Sequence, residues 1–519
     1  MGTKNLNSAT DLITFTRASG GTALRKISYG SELVTNGDFD GNIDGWTGGS
    51  YDAVTGDLSL ISSGFVDAYQ IGFDPTKKYL LTYTVSEYTS GNISAYDGTK
   101  FGSYTNAVGT YSIIISPDVQ RLGVRGQNGP VDAKISNISV KEVLYDQPDG
   151  TLQLFNHPDN VPRIEYDADG TVKGLLIEEQ RTNDIRDSSN LTSSTWIKGV
   201  SVTSTTDSTA PDSTNTAYYI SNVDGYRDLL KENTVPLNER VMSVYAKAGE
   251  YHWLYMLSTN SSGYWASQSF DLLNGEVGTS YRIGTPSNLT DAKIEPVGDG
   301  WYRCSVKGDA TNTSSIAFMV GDTDSIPWST TFGTAGGLYL CAAQVEAGAF
   351  PTSYIPTSGA TATRAADIAS IPVADFGYNS DAGSVLVEAQ RFGTNNYPRS
   401  VMIDAGNTHV KGIGLGAWGT NTSLTGYIVA NGSVQAAMDT GNAGTSAFKN
   451  SLAYKENDFA ASRDGNTVIT DTSAVVPTGL TTLRLGRNAV EAQFLNGHIK
   501  SIKYYPRRLS NTQLQELTT

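Results

Sequence analysis

Cleaving a polysaccharide takes two carboxyl groups facing one bond, about 5–5.5 Å apart in a retaining hydrolase and roughly 6.5–9.5 Å apart in an inverting one. Two pairs in the sequence are close enough to consider. Glu178 and Glu179 are consecutive, so on a strand they point to opposite faces and read as structural. Asp38 and Asp40 share a face, but they sit in the turn-rich run Asn36-Gly-Asp-Phe-Asp-Gly41. Asx turns are the ordinary use of such residues, and their oxygens are also candidates for a structural Ca2+. No Gly-x-Ser-x-Gly elbow, His-Glu-x-x-His, P-loop or dinucleotide fingerprint occurs. The alternating glycines of Gly412-Ile-Gly-Leu-Gly-Ala-Trp418 read as a closely packed strand. The four histidines show no ligand spacing with the two cysteines, Cys304 and Cys341. Those cysteines are either buried thiols or one cross-strand bridge. No catalytic residue is assigned, and the expectation is a chain that is not an enzyme and needs no cofactor beyond that Ca2+.

Aromatic residues are the other source of chemistry. Sugar rings present apolar C–H faces on which an exposed Trp or Tyr can stack. Trp46, Tyr51, Tyr88 and Tyr96 are candidates early in the chain, Trp253, Tyr255, Tyr264 and Trp265 in its middle, and Trp418 and Tyr427 near its end. The competing reading is that such rings fill a sandwich core. Tyr264 and Trp265 follow the polar run Asn260-Ser-Ser-Gly263, and binding residues concentrate on loops of this kind.

These side chains must be held by β-structure. Charged residues make up only 17% of the chain, whereas it holds 54 glycines and 28 tyrosines. Helix formers do not dominate, and the Tyr- and Thr-rich runs suit pleated strands. Strand signals such as Lys78–Val85, Tyr111–Ile115, Val241–Ala246 and Ser384–Ala389 are punctuated by Gly, Asn, Asp and Pro. One helix is expected after Ser510, an N-cap with Gln513 placed for a capping box. Asp464-Gly465-Asn466 reads as a tight hairpin turn. The net charge of −15 repels phosphate backbones, so nucleic acid is not an expected partner. No run of about 20 apolar residues marks a membrane span, so membrane insertion is not expected. The N-terminus lacks the apolar core of a secretory signal, and the expected origin is the cytoplasm, without classical export.

At roughly 100–200 residues per domain, 519 residues suggest three or four domains. Gly174-Leu-Leu-Ile-Glu-Glu-Gln-Arg-Thr-Asn183 and Glu346-Ala-Gly-Ala-Phe-Pro-Thr-Ser-Tyr-Ile-Pro-Thr-Ser358 bracket one of them. Together these two stretches resemble modular fibre and spike proteins on the virions of tailed bacteriophages. Glu32-Leu-Val-Thr-Asn-Gly-Asp-Phe39 followed by Gly45-Trp46, with Ser136–Val143 closing, resembles a carbohydrate-binding-module jelly roll over 31–143. Residues 186–358 read as a second jelly roll on the same plan. Residues 363–519, with Asn496-Gly-His-Ile499 and Tyr504-Tyr-Pro-Arg-Arg-Leu-Ser510, resemble a concanavalin-like or laminin-G-like sandwich. The remainder, 1–30 with 144–185, reads as a small N-terminal docking unit into which the first jelly roll is inserted. Arg17, Arg163 and Arg181 lie in this unit. They either pair with carboxylates of a sister chain or the particle, or form internal ion pairs.

The resemblance implies an all-β virion protein, a head or tail fibre or spike. Its partners would be two further copies of itself in a trimer, phage capsid or tail proteins, and host surface glycans. Its location would be the virion surface after synthesis in the host cytoplasm. The alternatives are a glycan depolymerase carrying accessory binding modules and a decoration protein without a ligand.

Overall fold

The structure is a computed structural model that describes residues 12–98, 104–204, 210–212, 217–221, 230–232, 239–260, 265–284, 289–308, 313–324, 336–393, 397–406, 410–417, 423–490 and 492–519. The protein is all-β. Among the described residues there is one α-helix, Asn511–Thr518, opened by the capping box of Ser510 and Gln513. No described helix is long and apolar enough to cross a membrane. The chain divides into two compact units, one of Lys26–Thr151 and the other of Met1–Arg25 with Leu152–Thr519.

The Lys26–Thr151 unit is organised by two long strands, Tyr79–Tyr96 and Arg121–Tyr145. They pair with each other along most of their length, with several bulges. Bulges let one strand bend around a core and serve both of its sides. Val66–Ile71 joins Arg121–Gly126, and Asp57–Ser62 joins Val131–Ile135. Alternate residues of these strands, such as Ala68, Leu122, Val124, Ile93 and Ala95, close a core with Phe39 and Trp46.

The larger unit contains two sandwiches. In one, six-stranded antiparallel sheets face each other over a core that includes Trp196, Met242, Leu254, Phe270, Phe318 and Leu340. Cys304 stands opposite Val244 and Cys341 opposite Tyr245. Successive residues of a strand face opposite sides, so Cys304 lies in the main core and Cys341 in a satellite cluster. Both thiols are free and buried, which removes the bridge from the two sequence-based alternatives. Burial also pushes both thiols well above the usual range.

The other sandwich has two seven-stranded sheets. Here the expectation of a separate N-terminal unit is corrected. Thr14–Thr16 pairs with Ile368–Pro372 at the edge of one sheet. Ile164–Tyr166 and Val172–Ile177 extend the other, with Leu175 opposite Ile499. Phe15, Leu175 and Ile177 belong to the same core as Val387, Leu452 and Leu485. The segment 363–519 is therefore not a complete sandwich. It lacks three strands, whose apolar faces can be covered only when the early segments supply them. Gly174 shows how close the fit is. Its φ is +128°, and a Cβ there would lie 2.4 Å from the Ile499 carbonyl oxygen.

Candidate functional site

The two bracketing stretches meet around buried carboxylates. Glu178, at the end of Val172–Ile177, accepts hydrogen bonds from the Ser353 amide at 2.8 Å and the Ser353 hydroxyl at 2.7 Å. Arg163 reaches Glu178 at 2.9 Å and also pairs with Asp367. Arg17 bonds Asp367 at 3.1 Å, and Arg364 lies 3.5 Å from Glu178. All five side chains are essentially sealed from solvent. Burial raises the Glu178 carboxyl, but the charges of Arg364 and Arg163 and the Ser353 bonds outweigh it and hold the group far below the ordinary carboxylate range. Burial, with Arg163 as a like charge, lowers Arg17 to about 10, so it stays a cation at neutral pH. Further guanidinium N–H groups donate to carbonyls, Arg17 to Pro158 and Ser19, and Arg364 to Glu179 and Ala365.

This network corrects the docking reading for Arg17 and Arg163, whose charges are spent inside the fold. Arg181 pairs with Glu179 at 2.6 Å, and its guanidinium stacks over Phe350 at 5.3 Å. Asn183 completes the junction, donating to the Ile355 carbonyl and accepting from the Val345 amide.

The aromatic candidates mostly serve cores. Trp46 is buried, with its Nε1–H donated to the Asn36 carbonyl and its ring 5.7 Å from Phe39. Tyr255 is fully buried and donates to the Thr323 carbonyl. Trp265 is buried and stacks on Tyr281 at 5.6 Å. Tyr427 is buried under the Arg399 guanidinium, its ring packed over Gly414. Sugar stacking is therefore corrected for these four residues, because each ring is buried. Tyr51, Tyr88 and Trp253 are half-buried, and the Tyr88 hydroxyl is held by the Gly91 carbonyl. Tyr264 and Trp418 lie outside the described residues. Asp38 and Asp40 are exposed in their turn. Among the described residues, no group of three or more His, Cys, Asp and Glu side chains is placed to hold a metal ion.

Tyr96 leads to a different arrangement. It is only 3% exposed, so sugar stacking is corrected for it too, but its strand positions place it on the outward face of the Lys26–Thr151 unit. Three strands align there, with Asp67 opposite Arg125 and Arg125 opposite Ser94, then Tyr69 opposite Gly123 and Gly123 opposite Tyr96, then Ile71 opposite Arg121. Their alternate partners Ala68, Leu122, Val124, Ile93 and Ala95 point inward, so these residues share the outer face. Tyr69 and Tyr96 approach edge to face at 5.9 Å across Gly123. A Cβ on Gly123 would strike the Ala68 carbonyl oxygen at 2.0 Å. Arg125 is locked to Asp67 through two N–H groups, which raises its pKa, and lies over Tyr96 at 4.3 Å and over Phe65 at 5.1 Å. Arg121 lies over Tyr69 at 4.8 Å and has no acidic partner among the described residues. Phe65 is 65% exposed and Ile71 73%. The face therefore offers apolar ring surface beside one neutralised and one unneutralised guanidinium.

Sequence reasoning missed Phe65, Tyr69, Arg121 and Arg125. Their signal is the period-two pattern of Val66–Ile71 and Arg121-Leu-Gly-Val-Arg125, in which apolar positions alternate with aromatic, glycine and arginine positions.

No protein-family model matches this sequence, and no curated protein sequence matches it. Solved structures that the chain matches include domains LG4-5 of the mouse laminin alpha1 chain, at 10% identity and a TM-score of 0.19, covering 56% of this chain and 92% of that one. They also include Trypanosoma rangeli sialidase in complex with 2,3-difluorosialic acid, at 9% identity and a TM-score of 0.23, covering 96% and 93%. The same sialidase with sialic acid matches at 12% identity and 0.23, covering 89% and 84%. At these scores the likenesses carry no argument about activity or ligand. The expectation that the chain is not an enzyme is withdrawn, because sialidases, which are enzymes, stand among the matched structures.

Proposed function

We propose that this chain is a virion surface protein of a tailed bacteriophage, a fibre or spike, that adheres to glycans on host or environmental surfaces. The observation that carries the binding part is the outward face of the Lys26–Thr151 unit, where the exposed Phe65 and the half-buried Tyr69 lie beside Arg125 and Arg121, with Tyr96 packed under Arg125. Planar rings meet the C–H faces of sugars, and guanidinium groups bond their oxygens. Arg121, which lacks an acidic partner among the described residues, favours glycans carrying carboxylate or sulfate. The virion part is supported by the resemblance of Gly174–Asn183 and Glu346–Ser358 to phage fibre proteins. The resemblance also implies a trimer, and many copies on one particle would turn weak single sites into firm attachment.

The test is binding of the full chain to an array of bacterial surface glycans. Phe65→Ala and Tyr69→Ala should each weaken binding about tenfold, and Arg121→Ala should selectively lose the acidic glycans. Unchanged binding by all three variants would remove this face from the proposal. Release of new reducing ends from the bound glycans would make the face a substrate-capture surface. Immunogold labelling of purified particles tests the virion assignment, and unlabelled particles would sink it.

A further inference from the structure

A second site lies wholly within the larger unit, where the six-stranded sandwich meets the seven-stranded one. A cleft of about 100 Å3 opens there. His498 lines it and is only 2% exposed. Its Nε2 lies 2.5 Å from Glu165 Oε2. Burial acts to raise the Glu165 carboxyl, but the bond and charge of His498 outweigh it and bring it down to about 2. Glu165 is therefore ionised, an acceptor only, and the proton of that bond sits on Nε2. His498 Nδ1 is buried and has no hydrogen-bond partner among the described residues. A buried polar atom left in this state marks a position that a ligand can satisfy.

A second orphan lines the same cleft. Arg303 commits one terminal nitrogen to the Ser243 hydroxyl and the Thr352 carbonyl, while its Nε is buried without a partner among the described residues. Lys293 and Glu295 supply a donor and an acceptor at the exposed edge. Phe350 and Phe392 form an edge-to-face pair at 6.0 Å on the wall, and Phe392 lies 5.2 Å from His498. Donors and acceptors are thus interleaved around aromatic rings, with cationic and anionic groups in balance. A hydroxyl group both donates and accepts, so it pairs with His498 Nδ1 in either protonation state and with Arg303 Nε–H.

We infer that this cleft is a binding site for a single neutral sugar ring, with hydroxyls on His498 Nδ1 and Arg303 Nε and its C–H face against Phe392. The site is separate from the face of the Lys26–Thr151 unit and does not depend on its assignment.

Saturation-transfer NMR and titration calorimetry on the full chain, with glucose, galactose and N-acetylglucosamine as probes, test the inference. At least one probe should bind. Lys293→Ala with Glu295→Ala, both at exposed positions, should weaken it about tenfold. His498→Phe, which keeps a ring but removes Nδ1, should weaken it further, with folding checked by circular dichroism. Phe65→Ala should leave it unchanged. The inference is overturned if none of the three probes binds, if binding survives both cleft variants unaltered, or if Phe65→Ala abolishes it.

Discussion

Single residues in this protein are most revealing where charge is buried. His157 is fully buried, and burial, followed by the nearby Arg25, Arg163 and Arg17 cations, keeps it well below its usual pKa. Its Nε2 faces Arg25 at 3.1 Å and its Nδ1 faces the Phe155 carbonyl at 3.1 Å, so the neutral ring carries its proton on Nδ1. The stability held by the neutral ring is lost as pH falls below the unfolded imidazole value, and Glu165 and Glu178 carry a dependence of the same sign at lower pH. Both have folded pKa values below the unfolded value, so their stabilisation is present above about pH 4.3 and is lost as pH falls toward 2. For Glu165, a drop from 4.5 to about 2 corresponds to about 3 kcal/mol. Glu165→Gln should cost roughly that at pH 7, with the difference shrinking below pH 4 in urea unfolding at a series of pH values. A penalty independent of pH would show that packing rather than ionisation holds the residue. Glu178→Gln should cost about 3–5 kcal/mol, because it leaves Arg163 and Arg364 buried without one of their two anions. An equilibrium unfolding curve superimposable on that of the parent protein would refute the network's importance.

At the scale of elements, the dependence of the seven-stranded sandwich on early segments is the main consequence. Ile177 is fully buried beside Gly486 and faces the core formed by residues more than 200 positions later. Ile177→Ala should destabilise by about 2–5 kcal/mol. Gly174→Val combines a forbidden φ with a clash against the Ile499 backbone. It should raise hydrogen exchange selectively in Gly497–Tyr505, whose edge it would uncover. Equal protection of that strand in both proteins would show the pairing to be dispensable. The sequence made several local elements legible. The Ser510–Gln513 capping box forms as its spacing indicates. Asp464 and Gly465 adopt the positive φ values of a tight turn, and the Asn466 amide bonds back to the Arg463 carbonyl. Such features depend on neighbours within a few residues, so the sequence alone carries them.

At the scale of the whole molecule, the two compact units should unfold separately. Lys26 and Gly150 lie side by side, a Gly150 Cβ falling 3.2 Å from Lys26 Cβ, so the Lys26–Thr151 unit leaves and returns at adjacent points. Calorimetry should resolve two transitions, and replacement of residues 26–151 by a short Gly-Ser joint should remove one while preserving the other. One cooperative transition in the full chain, lost altogether on excision, would contradict the division.

By itself, the sequence determined that the chain is built from strands, where many of them run and how the last helix begins, because alternation, turn residues and caps act over short distances. It also placed Glu178 and Asn183 in a stretch that does work as architecture. Only the tertiary structure decided that Thr14–Thr16 and Val172–Ile177 complete a sandwich closed by Gly497–Tyr505, that Arg17 and Arg163 are internal, and that Tyr69 and Arg121 share a face. A period of two shows that a strand has two different faces. Which face meets a core, and which distant strand covers it, depends on pairings hundreds of residues apart that no local pattern encodes.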